Sequence, residues 1–312
     1  MRRIPALLVI LPVLAGCTSR DPVESDEPLS MNVVNISARG MTFEAPSEVP
    51  AGWTSFRFSN LSGMTHFALI QRLPDGVNTA DQQSHVAPVF QAGMNQLAAG
   101  DVDAAMDEFG QLPAWFGDIV FAGGPGFVSA GGSAEVTVYL EPGLHMLECY
   151  VKTAGIFHSY NPDPDSWGMV HEFSVTDRGS ETTAPEANAE ITISAETGFA
   201  GDLQLAAGEN VVAVRFLDQG PHEHFVGHDI HLARLADDTD LAAVEAWMDW
   251  RSPTGLNTPA PVEFVGGANE MPAGSVAYMH LTLEPGRYAW IAEVPDAGEK
   301  GMLVEFKALR EP

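Results

Sequence analysis

The sequence predicts an all-β protein of two tandem β-sandwich units, each with one short helical insertion. Three observations carry that expectation. The first is an internal repeat. Val138-Tyr139-Leu140-Glu141-Pro142-Gly143 returns as Leu281-Thr282-Leu283-Glu284-Pro285-Gly286, and Gly168-Met169-Val170-His171-Glu172-Phe173 returns as Gly301-Met302-Leu303-Val304-Glu305-Phe306. A third block, His66 to Leu73, matches His228 to Leu235, in the same order along the chain. The second observation is period-two alternation in short runs, such as Trp53-Thr54-Ser55-Phe56-Arg57-Phe58, 134–140 and 210–216. The third is turn chemistry between those runs, as at Pro142-Gly143 and Pro285-Gly286.

Taken in order, the chain opens on Met1-Arg2-Arg3 and an apolar run from Ile4 to Leu14, too short to span a bilayer. Leu14-Ala15-Gly16-Cys17 follows where that run ends, and it resembles the bacterial lipobox. The expectation is a signal peptide over 1–16 and a lipid anchor on Cys17. Thr18 then favours the outer membrane in a cell that has one. Residues 17–30, rich in acids and proline, read as a flexible tether. The first unit spans 31–177. Its insertion, Asp81 to Phe109, places Val86, Phe90, Met94 and Leu97 at helical spacing, and Pro88 is tolerable only if a helix starts close to it. The polar run Asp177 to Asn188 reads as a linker. The second unit spans 189–312, with Leu241 to Trp250 as its helical counterpart.

The formal charge is −27, and removing 1–16 discards two arginines and no acid, which leaves −29. Nucleic acid and anionic headgroups need a basic face, so neither is an expected partner. A basic redox partner would be steered favourably, though solubility alone accounts for such a charge.

Beyond Cys17 the chain has one cysteine, Cys149. A lone thiol in an exported protein cannot form an internal disulfide and is open to oxidation. His158 and Met169 follow it, and His66 supplies a second imidazole. Two imidazoles, a thiolate and a thioether form the donor set of a blue-copper site. The plain alternative is that Cys149 is a small buried hydrophobe.

Here the sequence resembles the cupredoxins, Greek-key sandwiches that hold mononuclear copper. In that family the first His lies just after a strand that often ends in Asn, as Asn60 precedes His66. The remaining ligands follow a Pro-Gly turn in the order Cys, His, Met, as do Cys149, His158 and Met169. The resemblance implies one type 1 copper in the first unit and a role in extracytoplasmic electron transfer or copper handling. Ten residues separate His158 from Met169, more than the family's usual spacing, and Phe67 stands where many members have Asn. The Cys-to-His gap resembles that of the copper nitrite reductases. Their catalytic second copper needs a His directly before the Cys, where this chain has Glu148, so an electron carrier is expected rather than an enzyme. In the second unit Ala292 matches Cys149 and no His lies between it and Met302, so no blue site is expected there.

The competing reading is a metal-free binding or scaffolding module of the cell envelope. His145 and His171 read as strand positions. His222, His224 and His228 lie close enough to grip a metal, with a surface loop as the plainer reading.

Overall fold

The computed structural model describes residues 31–163, 165–177, 182–220 and 227–310. The signal segment, Cys17, the tether, part of the linker, His222 and His224 lie outside them.

The repeat seen in the sequence is a repeat of topology. In the first unit the strand Gly52–Asn60 lies parallel to Asn32–Arg39 and antiparallel to Ser133–Leu140. In the second, Gly208–Phe216 lies parallel to Ala189–Ser194 and antiparallel to Val276–Leu283. The facing sheets match too. Gly143–Glu148 runs between Leu69–Arg72 and Val170–Thr176, just as Gly286–Ile291 runs between Ile230–Leu235 and Leu303–Ala308. Alternation explains the inner strand: Phe56 and Phe58 are buried while Arg57 points out to Glu135 at 2.9 Å.

The two units share a sheet, which the sequence did not announce. Val276–Leu283 pairs antiparallel with Ser133–Leu140, setting Tyr278 opposite Thr137 and His280 opposite Glu135. The result is one eight-stranded sheet running through both units. Trp53 packs edge-on against Tyr139 and Tyr278 across the seam, with centroids 5.5 and 5.4 Å away. Phe127 of the first unit packs against Phe264 and Trp247 of the second, at 5.0 and 5.4 Å, so the core is continuous.

The first insertion divides into three helices. α1 (Thr79–His85) is capped by Asn78, whose side chain accepts from the Ala80 and Asp81 backbone while Asp81 returns a bond to the cap. α2 (Ala87–Ala98) starts with Pro88 in its first turn, where no helical donor is lost. α3 (Val102–Phe109) is capped by Asp101. α4 (Leu241–Met248) is the shorter counterpart in the second unit.

Candidate metal centre

Three of the four predicted donors converge. Asn60 sets the first: its amide donates to the Met64 and Val128 carbonyls at 2.7 and 2.8 Å, and its oxygen accepts from the Ser62 backbone at 3.1 Å. That folds the loop back so that His66 and Val128 exchange backbone hydrogen bonds. Cys149 stands one residue beyond the strand Gly143–Glu148, and His158 one residue beyond Ile156–Phe157. The Cys149 sulfur lies 3.5 Å from His66 Nδ1 and 3.8 Å from His158 Nδ1, and the two Nδ1 atoms are 3.2 Å apart. A triangle of those sides has a centre about 2 Å from every corner, which is a metal–ligand bond length. All three residues are buried.

Burial governs the protonation of all three. It pushes the Cys149 thiol up to about 12, and the imidazoles of His66 and His158 down to about 4 and about 3, with His66 itself adding to the His158 effect. Without a metal the three groups are therefore neutral near pH 7, with two imidazole nitrogens facing a thiol. A soft cation would supply the charge that a thiolate needs there, and its binding would release the thiol proton. The donor set fits copper: one type 1 site is compatible with His66, Cys149 and His158.

Met169 is buried and its backbone is tied to both neighbours. Its N–H donates to the His158 carbonyl at 2.6 Å, and its carbonyl accepts from Cys149 N–H at 3.2 Å. The long gap before it is a loop pinched at its base. Gln83 of α1 donates to the Ser159 carbonyl at 3.0 Å and accepts from Gly168 N–H at 2.7 Å. A Cβ on Gly168 would stand 2.1 Å from the Ser159 oxygen, so only glycine lets the neck close. The ten residues between His158 and Met169 thus leave and return at one closed neck.

The second unit contributes what the sequence did not signal. Thr153 Oγ1 lies 2.9 Å from His158 Nε2 and 2.8 Å from Thr258 Oγ1. Around that contact Lys152 N–H donates to Leu256 O and Thr258 N–H to Lys152 O, both at 2.8 Å. With Nδ1 turned to a metal, His158 Nε2–H donates to Thr153, which fixes the ring. No local motif marks Thr258, because it meets the site only through the fold. His66 Nε2, by contrast, is buried with no hydrogen bond of good geometry among the described residues, the Gly40 backbone being near it.

At the matching place in the second unit, Ala292 N–H donates to Met302 O at 3.1 Å, the counterpart of the Cys149–Met169 bond. The thiolate position is thus occupied by a methyl group. His228 is buried with Nε2 2.7 Å from Asp218. Asp229, His231 and Glu293 form another buried cluster, but His231 Nδ1 accepts from the Phe127 backbone at 3.1 Å. Its proton therefore sits on Nε2, which donates to Asp229 at 2.8 Å, and the ring offers no lone pair to a metal. His145 is a buried strand residue stacked near Phe173, and His171 bonds the Pro46 carbonyl.

No family model and no curated relative matches the chain. Among solved structures it is similar to auracyanin A, a "blue" copper protein from Chloroflexus aurantiacus, at 20% identity over 47% of this chain and 100% of that one, with a TM-score of 0.28. It is similar to the auracyanin of Roseiflexus castenholzii at 21% identity over 47% of this chain and 98% of that one, with a TM-score of 0.27. The copper nitrite reductase of Nitrosomonas europaea is 12% identical over 89% of this chain and 94% of that one, at a TM-score of 0.24. The class that this chain's own sheets and donors define is a β-sandwich protein with a buried two-imidazole, one-thiol set. More particularly, it is a two-unit one, and among the described residues its copper-compatible His–Cys–His set lies in the first unit.

Proposed function

We propose that the chain is a lipid-anchored electron carrier of the cell envelope, with one type 1 copper held by His66, Cys149 and His158 and with Met169 as axial ligand. The observation that carries this reading is the buried Nδ1–Sγ–Nδ1 triangle. Copper would supply one-electron chemistry between its two oxidation states, while the protein keeps the donors in place and the site dry. Asn60 fixes the His66 loop, Thr153 holds the His158 ring, and the sandwich supplies the rigid frame that keeps reorganisation small.

A carrier is favoured over an enzyme because Glu148, directly before Cys149, is engaged by Gln71 and Gln82 rather than offering an imidazole to a second copper. We assign membrane attachment to Cys17 on the Leu14-Ala15-Gly16-Cys17 stretch; among the described residues no helix is long and apolar enough to cross a membrane. The acidic surface suits a basic redox partner.

The test is an absorption spectrum after loading with Cu(II). The oxidised protein should be blue, and Cys149→Ser should be colourless, because a hydroxyl cannot donate charge to copper as a thiolate does. A colourless wild type with a titratable free thiol after loading refutes the reading and leaves the metal-free module.

A further inference from the structure

A partly open cleft lies between the helical insertion and the second unit. Glu148 and Tyr150, the two chain neighbours of Cys149, both line it. Phe90 forms one wall, with the rings of Phe116 and Trp250 at 5.5 and 6.2 Å from it. Glu270 enters from the second unit, and no Lys, Arg or His is among the lining residues.

Two groups on this wall keep a polar atom without a protein partner among the described residues. Glu270 is 8% exposed, and its Oε2 accepts from Gly227 N–H at 3.0 Å; among the described residues no donor reaches Oε1. Burial, and after it Asp229, pushes this carboxyl up to about 8. Trp250 is 5% exposed, and its indole Nε1 is buried with no hydrogen-bond partner among the described residues. A buried N–H left without an acceptor costs about 1–3 kcal/mol, so a molecule that brings one gains by entering. Glu148 differs, since Gln71 and Gln82 already satisfy it.

An occupant that meets all three features carries a positive charge for Glu270, an apolar periphery for the aromatic faces, and an oxygen acceptor for the indole. Aromatic faces attract cations through the ring quadrupole, and the effect grows when water is excluded. We propose that this cleft binds a small hydroxylated organic ammonium ion, its cation held by Glu270, Phe90 and Phe116 and its hydroxyl oxygen by Trp250 Nε1. The site is independent of copper, and its test is run on both the metal-free and the loaded full chain.

Isothermal titration with three probes decides it: choline, its uncharged carbon isostere 3,3-dimethylbutan-1-ol, and tetramethylammonium, which lacks the hydroxyl. Choline should bind one to one, and the neutral isostere about tenfold or more weaker, as loss of a desolvated cation–π contact and an ion pair requires. Tetramethylammonium should fall between them. Glu270→Gln should weaken choline about tenfold and leave the neutral alcohol unchanged. Trp250→Phe should erase the preference for choline over tetramethylammonium. Saturable choline binding that the isostere equals, or no saturable binding of choline, overturns the proposal. Should Trp250→Phe fail to fold, the three probes on the wild type and on Glu270→Gln still decide it.

Discussion

Replacing Gly168 by alanine attacks the neck of the loop that returns the chain from His158 to Met169. The added Cβ would stand 2.1 Å from Ser159 O, 2.2 Å from its carbonyl carbon and 2.7 Å from Tyr160 N. Ordinary contacts are 3.4 Å or more, and all three atoms are backbone, so the neck must open by more than an ångström. Opening it pulls on two hydrogen bonds, Gly168 N–H to Gln83 at 2.7 Å and Met169 N–H to His158 O at 2.6 Å. Two bonds at about 1 kcal/mol each and the overpacking itself at about 1–3 kcal/mol give a loss of about 3–5 kcal/mol. Denaturant unfolding of the metal-free protein measures that loss. The visible spectrum of the copper-loaded variant reads the site, because a displaced Met169 changes the axial field and so the band positions. A variant with wild-type stability and an unaltered spectrum would refute both the neck and the assignment of Met169.

Other substitutions test separate parts of the argument. Thr258→Val removes the second unit's hydroxyl from the chain that reaches His158, and it should lower copper affinity about tenfold in competition with a chelator; unchanged affinity would mean that the contact does not orient the ring. His145 is held neutral down to about 4 by burial, and after it by the Arg72 charge, against 6.5 for an ordinary imidazole. The unfolded chain therefore binds the extra proton first, so this stability is complete above pH 6.5 and is lost as pH falls towards 4, by at most about 3 kcal/mol. His145→Phe, which keeps a ring beside Phe173, should flatten that acid limb in unfolding curves at pH 7 and 4.5, and an equal slope counts against it. Cys17→Ser should move the protein to the soluble fraction on cell fractionation, and membrane retention would refute the lipid anchor.

The strands and the repeat were legible because each depends on local pattern. Alternation at Phe56 and Phe58 and the Pro142-Gly143 turn are written within a few residues of where they act. His66, Cys149 and His158 were legible as a chemical set, since few other arrangements use two imidazoles and a thiolate. The shared sheet was not, because an edge strand looks the same in sequence whether water or another strand covers it. Thr258 and Glu270 were hidden for a related reason: each reaches the first unit across the seam, with no spacing rule to join them. The asymmetry between Cys149 and Ala292 was plain, but the work left to the second unit was not.

The seam also settles what becomes of exposed strand edges. A sandwich with a free edge invites another chain to add to it, and natural proteins blunt such edges. Here the edge of Ser133–Leu140 is taken by Val276–Leu283, so each half of the chain is the other's neighbour without a second molecule being needed. The two outer margins of the combined sheet are the short strands Thr42–Glu44 and Gly198–Gly201, of three and four residues, which offer little to pair with. Because the pairing is intramolecular, the linker sets its effective concentration and dilution does not undo it. The repeated sandwich thus uses a sheet edge as its own internal joint, and the wall beside His158 is built from the half that carries Ala292 where the other has its thiol.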